Sequence, residues 1–400
     1  MELTAYQQEM LDGVWGKGKS MAMQVLVGIG KCFDAPRLVP ITRAHVSLSA
    51  QEADLWFSGK LLAAGARCAV PPTVNPGYSL DYFGGQISEA AAENMRQVDR
   101  TYRQLGARMT YSCTPYLGDN VPGFWETVAF SETNATIFVN SVLGARTNRE
   151  SAASALCAAV TGFTPEYGML LEKNRFATVA VEVRASLSSD FDYAALGLLG
   201  KKIGKGVPAF LGLPRDISTE ALIALGTQLN VSGSFDLFHI PGVTAEARRW
   251  GDVFGGKEPE RRVIITREDL DKALEDFSPS PSGPIKYCIL GCPHYTFSQL
   301  EEVAGLLAGR ASRVPVYILT SSTVKARARE AGLEQRLQAL GAVLIPGTCV
   351  DEACCWGYLA GRPGVTDSPK GAYYMETAGI QLAVRDRATC IRWAQNGRVC

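Results

Sequence analysis

No stretch of this sequence is apolar for long enough to cross a bilayer. The longest runs, such as residues 21–29, fall well short of the ~20 residues that a spanning helix needs. The opening MELTAYQQEMLDG carries acids early and no basic start before an apolar stretch, so no secretory signal is expected and the chain reads as cytoplasmic. Net charge is also missing, because 40 Lys and Arg balance 40 Asp and Glu, which removes the electrostatic case for a nucleic-acid or membrane partner. There is no CxxC pair, which argues against a zinc ribbon or a thioredoxin-like site. Nor is there a P-loop pattern, an internal repeat or a low-complexity segment.

What remains is a chain of 400 residues, too long for one ordinary domain and suited to two or three α/β units. Hydrophobic content of 46% and charged content of 20% supply an ample core. Eleven cysteines are an odd number, so they cannot all pair within one chain, and a reducing compartment argues against a disulfide framework. Most should be buried thiols acting as small hydrophobes.

Helical and strand-like patterns alternate almost from end to end, which predicts parallel or mixed sheets with crossover helices. Residues 4–33 read as helix broken near 13–18, 50–65 and 88–105 as helices, and 37–48, 66–70 and 108–112 as containing strands. In the middle, 178–183, 207–213 and 236–240 read as strands and 218–229 as helix. Later, strands at 286–290, 314–320 and 342–345 alternate with helices at 296–307 and 324–340, a βαβαβ unit. The segment FSPSPSG (277–283) is the best linker. We therefore expect units at 1–175, 176–280 and 281–400.

Cys113, Cys292 and Cys349 each follow a predicted strand: Cys113 directly, Cys292 after one glycine, Cys349 after Pro346, Gly347 and Thr348. In open α/β sheets ligands gather beyond the carboxyl ends of strands, so three thiols far apart in sequence can meet in one crevice. Three thiolates and a vacancy suit an iron–sulfur cluster with one open iron, a Lewis acid rather than an electron carrier. The turns at 114–115, 293–294 and 346–347 can turn backbone N–H groups towards the sulfurs. The plainer reading of each cysteine is a small apolar residue at a strand end.

Several segments, taken together, resemble the aconitase X family: CTPYL (113–117), NSVLGARTNRE (140–150), TPEYG (164–168), GCPH (291–294), Thr348-Cys349 and DSPKGAYY (367–374), with AHVS (44–47) and NPG (75–77) before them. They keep their order over roughly residues 40 to 375. The resemblance implies an aconitase-like arrangement and a hydro-lyase whose iron–sulfur cluster, 2Fe–2S or 4Fe–4S, is held by Cys113, Cys292 and Cys349 with one iron position open. Cys354 and Cys355 compete for the third place; Cys32, Cys68, Cys157, Cys288, Cys390 and Cys400 are expected to be structural. The family's motifs run out near Tyr374, so the swivelling domain that carries a serine base is expected on a separate small subunit.

Dehydration also needs a grip on the substrate carboxylate, for which an arginine fork is suited. Arg146 and Arg149, beside Ser141 and Asn148, are the candidates, with Thr147 and Glu150 read as a helix start that would favour an anion. His45, Asn75, His294, Ser368 and Lys370 complete the expected substrate-binding set. His239, inside an apolar strand, is expected in the core. Family members include dehydratases of cis-3-hydroxy-L-proline and of mevalonate 5-phosphate; without a glycine-rich phosphate cradle, the first, giving a pyrroline-2-carboxylate, is the expectation. A non-catalytic cluster or metal protein, such as a redox sensor using Cys354 and Cys355, and a metal-free binding module are the rival readings.

Overall fold

The structure is a computed structural model that describes residues 1–278 and 281–400, so Pro279 and Ser280 of the expected linker lie outside the described residues. The first 175 residues hold five short strands: β1 (Leu38–Pro40), β2 (Arg43–Val46), β3 (Thr73–Val74), β4 (Val128–Phe130) and β5 (Phe163–Pro165). Parallel pairing places β2 between β3 and β4, while β1 and β5 pair antiparallel. The middle unit is a parallel sheet of β6 (Val179–Val183), β7 (Pro208–Leu211) and β8 (Arg261–Ile265) in the order β7-β6-β8. The last unit holds β9 (Tyr287–Tyr295), β10 (Val316–Thr320), β11 (Ala342–Pro346), β12 (Gly364–Thr366) and β13 (Leu382–Val384). They form one parallel sheet in the order β11-β10-β9-β12-β13. Parallel sheets with crossover helices are the expected class.

Helices form where caps and periodicity agree. Glu89–Leu105 starts at Ser88, whose hydroxyl accepts from the Ala91 N–H, and stops at Gly106 in the left-handed region. Its buried Ala92, Met95, Val98, Tyr102 and Leu105 repeat at helical spacing. The expected helix over 4–33 is two, Ala5–Leu11 and Lys17–Cys32, parted by Gly13 and Gly16 at positive φ. Likewise Gly332, at φ +70°, splits the expected 324–340 helix into Ser322–Glu330 and Leu333–Ala339.

Some strand expectations fail for lack of an open sheet edge. Residues 66–70 form no strand; the Cys68 and Val70 N–H groups go to carbonyls of the helix ends at Leu105 and Ala159. Residues 108–112 only run beside β3, with one bridge from Arg108 to Thr73. Residues 236–240 likewise make a single bridge, His239 to Ala209.

One apolar cluster spans the first and last units, joining Met23, Leu26, Phe83 and Tyr102 to Tyr287, Ile289, Tyr317, Ile345 and Trp356. A second joins Phe130, Phe138 and Val139 to the middle sheet. The ends of β9 and β11 are thereby pressed against the loops that follow β2, β3 and the 108–112 segment. Among the described residues no helix is long and apolar enough to cross a membrane.

Candidate active site

Cys113, Cys292 and Cys349 line one cavity of about 250 Å³. Cys113 ends the extended segment beside β3; its carbonyl accepts from Asn134 Nδ2 at 3.0 Å and its Sγ accepts from the His294 backbone N–H at 3.3 Å. Cys292 lies within β9 rather than past its end. The ladder to β10 shifts register between Ile318 and Thr320 at this point, opposite Gly291. Gly291 has φ +96°, and a Cβ there would sit 2.1 Å from the Leu319 carbonyl oxygen, so only glycine lets the strand turn Cys292 into the cavity. Cys349 follows β11 through Gly347 at φ +60°, and its N–H donates to the Gly77 carbonyl at 2.9 Å.

Around the sulfurs stand Ser47, Asn75, Glu132, His294, Asp351, Glu352, Lys370 and Tyr374. Lys370 Nζ meets Glu132 Oε1 at 3.1 Å, and both side chains are buried. Burial works against the Lys370 charge, yet Glu132, Cys292 and Cys113 outweigh it and hold the pKa up. Ser368 lies just behind: its hydroxyl donates to the Cys292 carbonyl and caps the helix Pro369–Glu376 that carries Lys370. Burial raises all three thiols, Cys292 to about 11, so binding a metal there means displacing protons. Burial holds His294 down at about 4, and its Nε2 faces the Thr348 carbonyl at 3.0 Å. Burial, with Cys354 and Asp351 adding repulsion, pushes Glu352 up to about 8. Among the described residues, no group of three or more His, Cys, Asp or Glu side chains is arranged to hold a metal ion. A larger cavity, about 850 Å³, between Phe277, Pro284, Arg362 and Leu382 is lined by neither cysteine nor histidine among the described residues.

His45 does not reach the cavity. It is fully buried behind Asn75, with Nδ1 2.8 Å from Thr73 Oγ1, and burial lowers its pKa to about 3. The arginine pair is elsewhere too. Residues 146 and 149 bridge to Thr127 and Phe130, so the backbone is committed to the edge of β4, and no helix starts at Thr147. The helix begins instead at Ala152, with Ser151 and Ser154 forming the capping box. Arg146 lies over the Trp125 ring at 4.5 Å and lines a separate cavity with Arg175 and His239. Arg149 donates to Asn230 Oδ1 at 2.8 Å, Asn148 is tied to Tyr167 and Met169, and the Ser141 hydroxyl accepts from the Phe238 N–H. His239 is buried, as expected. Cys354 is exposed and Cys355 buried; neither lines the cavity. Glu132, Asp351, Glu352 and Tyr374 are cavity residues that the sequence reading missed. Only the position of the two acids just after Cys349 could have drawn attention to them.

Three family models match consecutive parts of the chain: aconitase X first domain over residues 1–173, second domain over 177–275 and third domain over 285–396. The phosphomevalonate dehydratase large subunit of Thermococcus kodakarensis is 35% identical over 98% of this chain and 100% of its own. The cis-3-hydroxy-L-proline dehydratase of Pseudomonas aeruginosa is 34% identical over 99% of this chain and 70% of its own. The crystal structure of Thermococcus kodakaraensis aconitase X in its holo-form superposes with a TM-score of 0.90 at 33% identity, covering 98% of this chain and 100% of that one. With identity of this extent over the whole fold, the chain belongs to the aconitase X family, as a dehydratase of the large-subunit type.

Proposed function

We propose that this chain is the iron–sulfur-bearing large subunit of a cis-3-hydroxy-L-proline dehydratase. The observation that carries the choice of substrate is the charge of the cysteine-lined cavity. Among the described residues its single cationic side chain, Lys370, is already paired with Glu132, while Asp351 and Glu352 line the same cavity. A phosphate dianion calls for unpaired cations or a backbone cradle, and a zwitterionic amino acid does not. The other reading, mevalonate 5-phosphate, is favoured by the Thermococcus relative, which this chain matches from end to end.

By their chemistry the three thiols suit a cluster, although they are not drawn together around a single metal ion. Three thiols face one space, and the His294 backbone N–H already donates to the Cys113 sulfur. Cys113, Cys292 and Cys349 would hold the cluster, which supplies Lewis acidity to a departing hydroxyl at an iron without a cysteine ligand. Lys370, kept charged by Glu132, balances the thiolates and offers a hydrogen-bond donor to the substrate carboxylate. The proton on C2 leaves to a base, and loss of the C3 hydroxyl gives a pyrroline-2-carboxylate and water. We assign that base to a serine on a small-subunit partner, in keeping with relatives named as large subunits.

The test is turnover by the two-subunit enzyme purified without oxygen. We expect pyrroline-2-carboxylate from cis-3-hydroxy-L-proline and no reaction with mevalonate 5-phosphate; the opposite pattern overturns the substrate. Cys113→Ser, Cys292→Ser and Cys349→Ser should each lose visible absorption, and full colour in all three overturns the ligand set.

A further inference from the structure

Beyond the three cysteines, the cavity wall sets acceptors beside the hydroxyls of Ser47, Ser49, Thr133 and Tyr374. His294 is 4% exposed, and its Nε2 faces the Thr348 carbonyl, which only an N–H can satisfy. The hydrogen therefore sits on Nε2, and Nδ1 is left as a buried acceptor without a partner. Asn75 Oδ1, on the same wall, has no donor within hydrogen-bond distance, with the buried His45 ring beside it. Exposed Asp351 and half-buried Glu352 add two carboxyl groups, and neither has a side-chain ion pair or hydrogen bond among the described residues. Among the described residues Lys370 is the one cation that lines the cavity, and it is committed to Glu132; no ion pair reaches Glu352. A buried acceptor without a donor is costly, and His294 Nδ1 together with two unpaired acids on the wall fits a ligand that brings both N–H groups and positive charge.

We infer that Glu352, with Asp351 beside it, is the subsite for the substrate's secondary ammonium group, and that it selects amino acids over phosphorylated hydroxy acids in this cavity. The inference rests on the dehydratase reading above and deepens it. A ring ammonium carries two N–H donors. One meets the Glu352 carboxylate, and the second serves the Asp351 or Asn75 oxygen, while the substrate carboxylate is left for Lys370. A mevalonate phosphate has no N–H to give and would bring more negative charge against Glu352 and Asp351. The subsite follows Cys349 in the chain, so the loop that offers a sulfur on one side of the cavity offers the two acids next to it.

The test compares two inhibitors of hydroxyproline turnover by the two-subunit holoenzyme. L-Proline carries the ring ammonium; pyrrole-2-carboxylate has the same ring size and carboxylate without the charge. The wild-type enzyme should prefer proline, and Glu352→Gln should lose that preference while binding pyrrole-2-carboxylate as before. In the same variant KM for hydroxyproline should rise at least about tenfold, the worth of one lost charge-assisted hydrogen bond, with a smaller fall in kcat. Glu352→Asp should recover part of the loss, and it decides the matter should Glu352→Gln fail to fold. An unchanged KM and an unchanged proline preference in Glu352→Gln, or in Glu352→Asp where only that folds, overturn the subsite. A wild-type enzyme that does not turn over hydroxyproline at all overturns the proposed substrate instead.

Discussion

At the scale of single residues, His45 and His294 show how burial sets chemistry. Both sit in the fold as neutral imidazoles, His45 with its pKa near 3 and His294 near 4, against an ordinary 6.5. A base whose pKa is lowered by folding makes the unfolded chain the better proton binder below pH 6.5. The contribution is therefore complete above pH 6.5 and is lost as pH falls towards the folded value, at about 1.4 kcal/mol per pH unit for each group. For His45→Gln we expect the stability lost between pH 7 and pH 5, measured by urea unfolding of the metal-free chain, to be about 2 kcal/mol smaller than in the wild type. An equal loss in both proteins excludes His45 as a source of acid sensitivity. Cys113, Cys292 and Cys349 were legible as thiols that meet in one cavity, although only Cys349 follows a strand: Cys292 lies within β9, and 108–112 makes a single bridge. Placement was not legible for Arg146 and Arg149, because the sequence does not show that their backbone bridges to β4 and turns them away from the cavity. Lys370 was singled out without its partner, since Glu132 is 238 residues away in the chain.

At the scale of elements, the irregular end of β9 does the most to shape the site. The positive φ of Gly291 and the register shift against β10 let one strand carry sheet pairing on Tyr287–Leu290 and a cavity sulfur on Cys292. Gly291→Ala would drive a methyl group into the Leu319 carbonyl and hold an unfavourable φ, costing at least ~1–3 kcal/mol of stability. We expect a lower midpoint in chemical unfolding together with weaker visible absorption of the holoenzyme, because Cys292 is displaced with the strand. A variant with wild-type stability and colour would contradict this account of the bulge. Helices were readable in the sequence because a cap and a terminal glycine bracket them, as Ser88 and Gly106 do. Short strands were less so: residues 66–70 have strand composition but find no edge to pair with, and pairing partners are a property of the tertiary fold.

At the scale of the whole molecule, the units are locked by a buried arginine. Arg387, on the last helix (Arg387–Asn396), donates to Tyr295, pairs with Asp190 of the middle unit at 2.5 Å and Asp367 at 3.3 Å, and also meets Glu302. Removing it leaves the Asp190 and Asp367 carboxylates largely buried without their cation, so Arg387→Met should lose about 3 kcal/mol. Because Asp190 belongs to the middle unit, we expect that unit to become more open to proteolysis before global unfolding. A digestion pattern identical to the wild type would mean that the apolar clusters alone hold the units together. The α/β class was readable from alternating periodicities, but the shared core of the first and last units was not. That core is built by residues such as Phe83 and Trp356, whose meeting no local pattern announces.

The His294 N–H and the Cys113 sulfur it meets are 181 positions apart in the chain, so the cavity exists only once the first and last units have found each other. A nascent or truncated chain offers scattered thiols instead of a socket. On the proposed cluster reading, inorganic iron and sulfide are then seated last, and colour in a preparation reports finished tertiary assembly as much as cofactor supply. Quality control of this protein and loading of its metal centre become the same event.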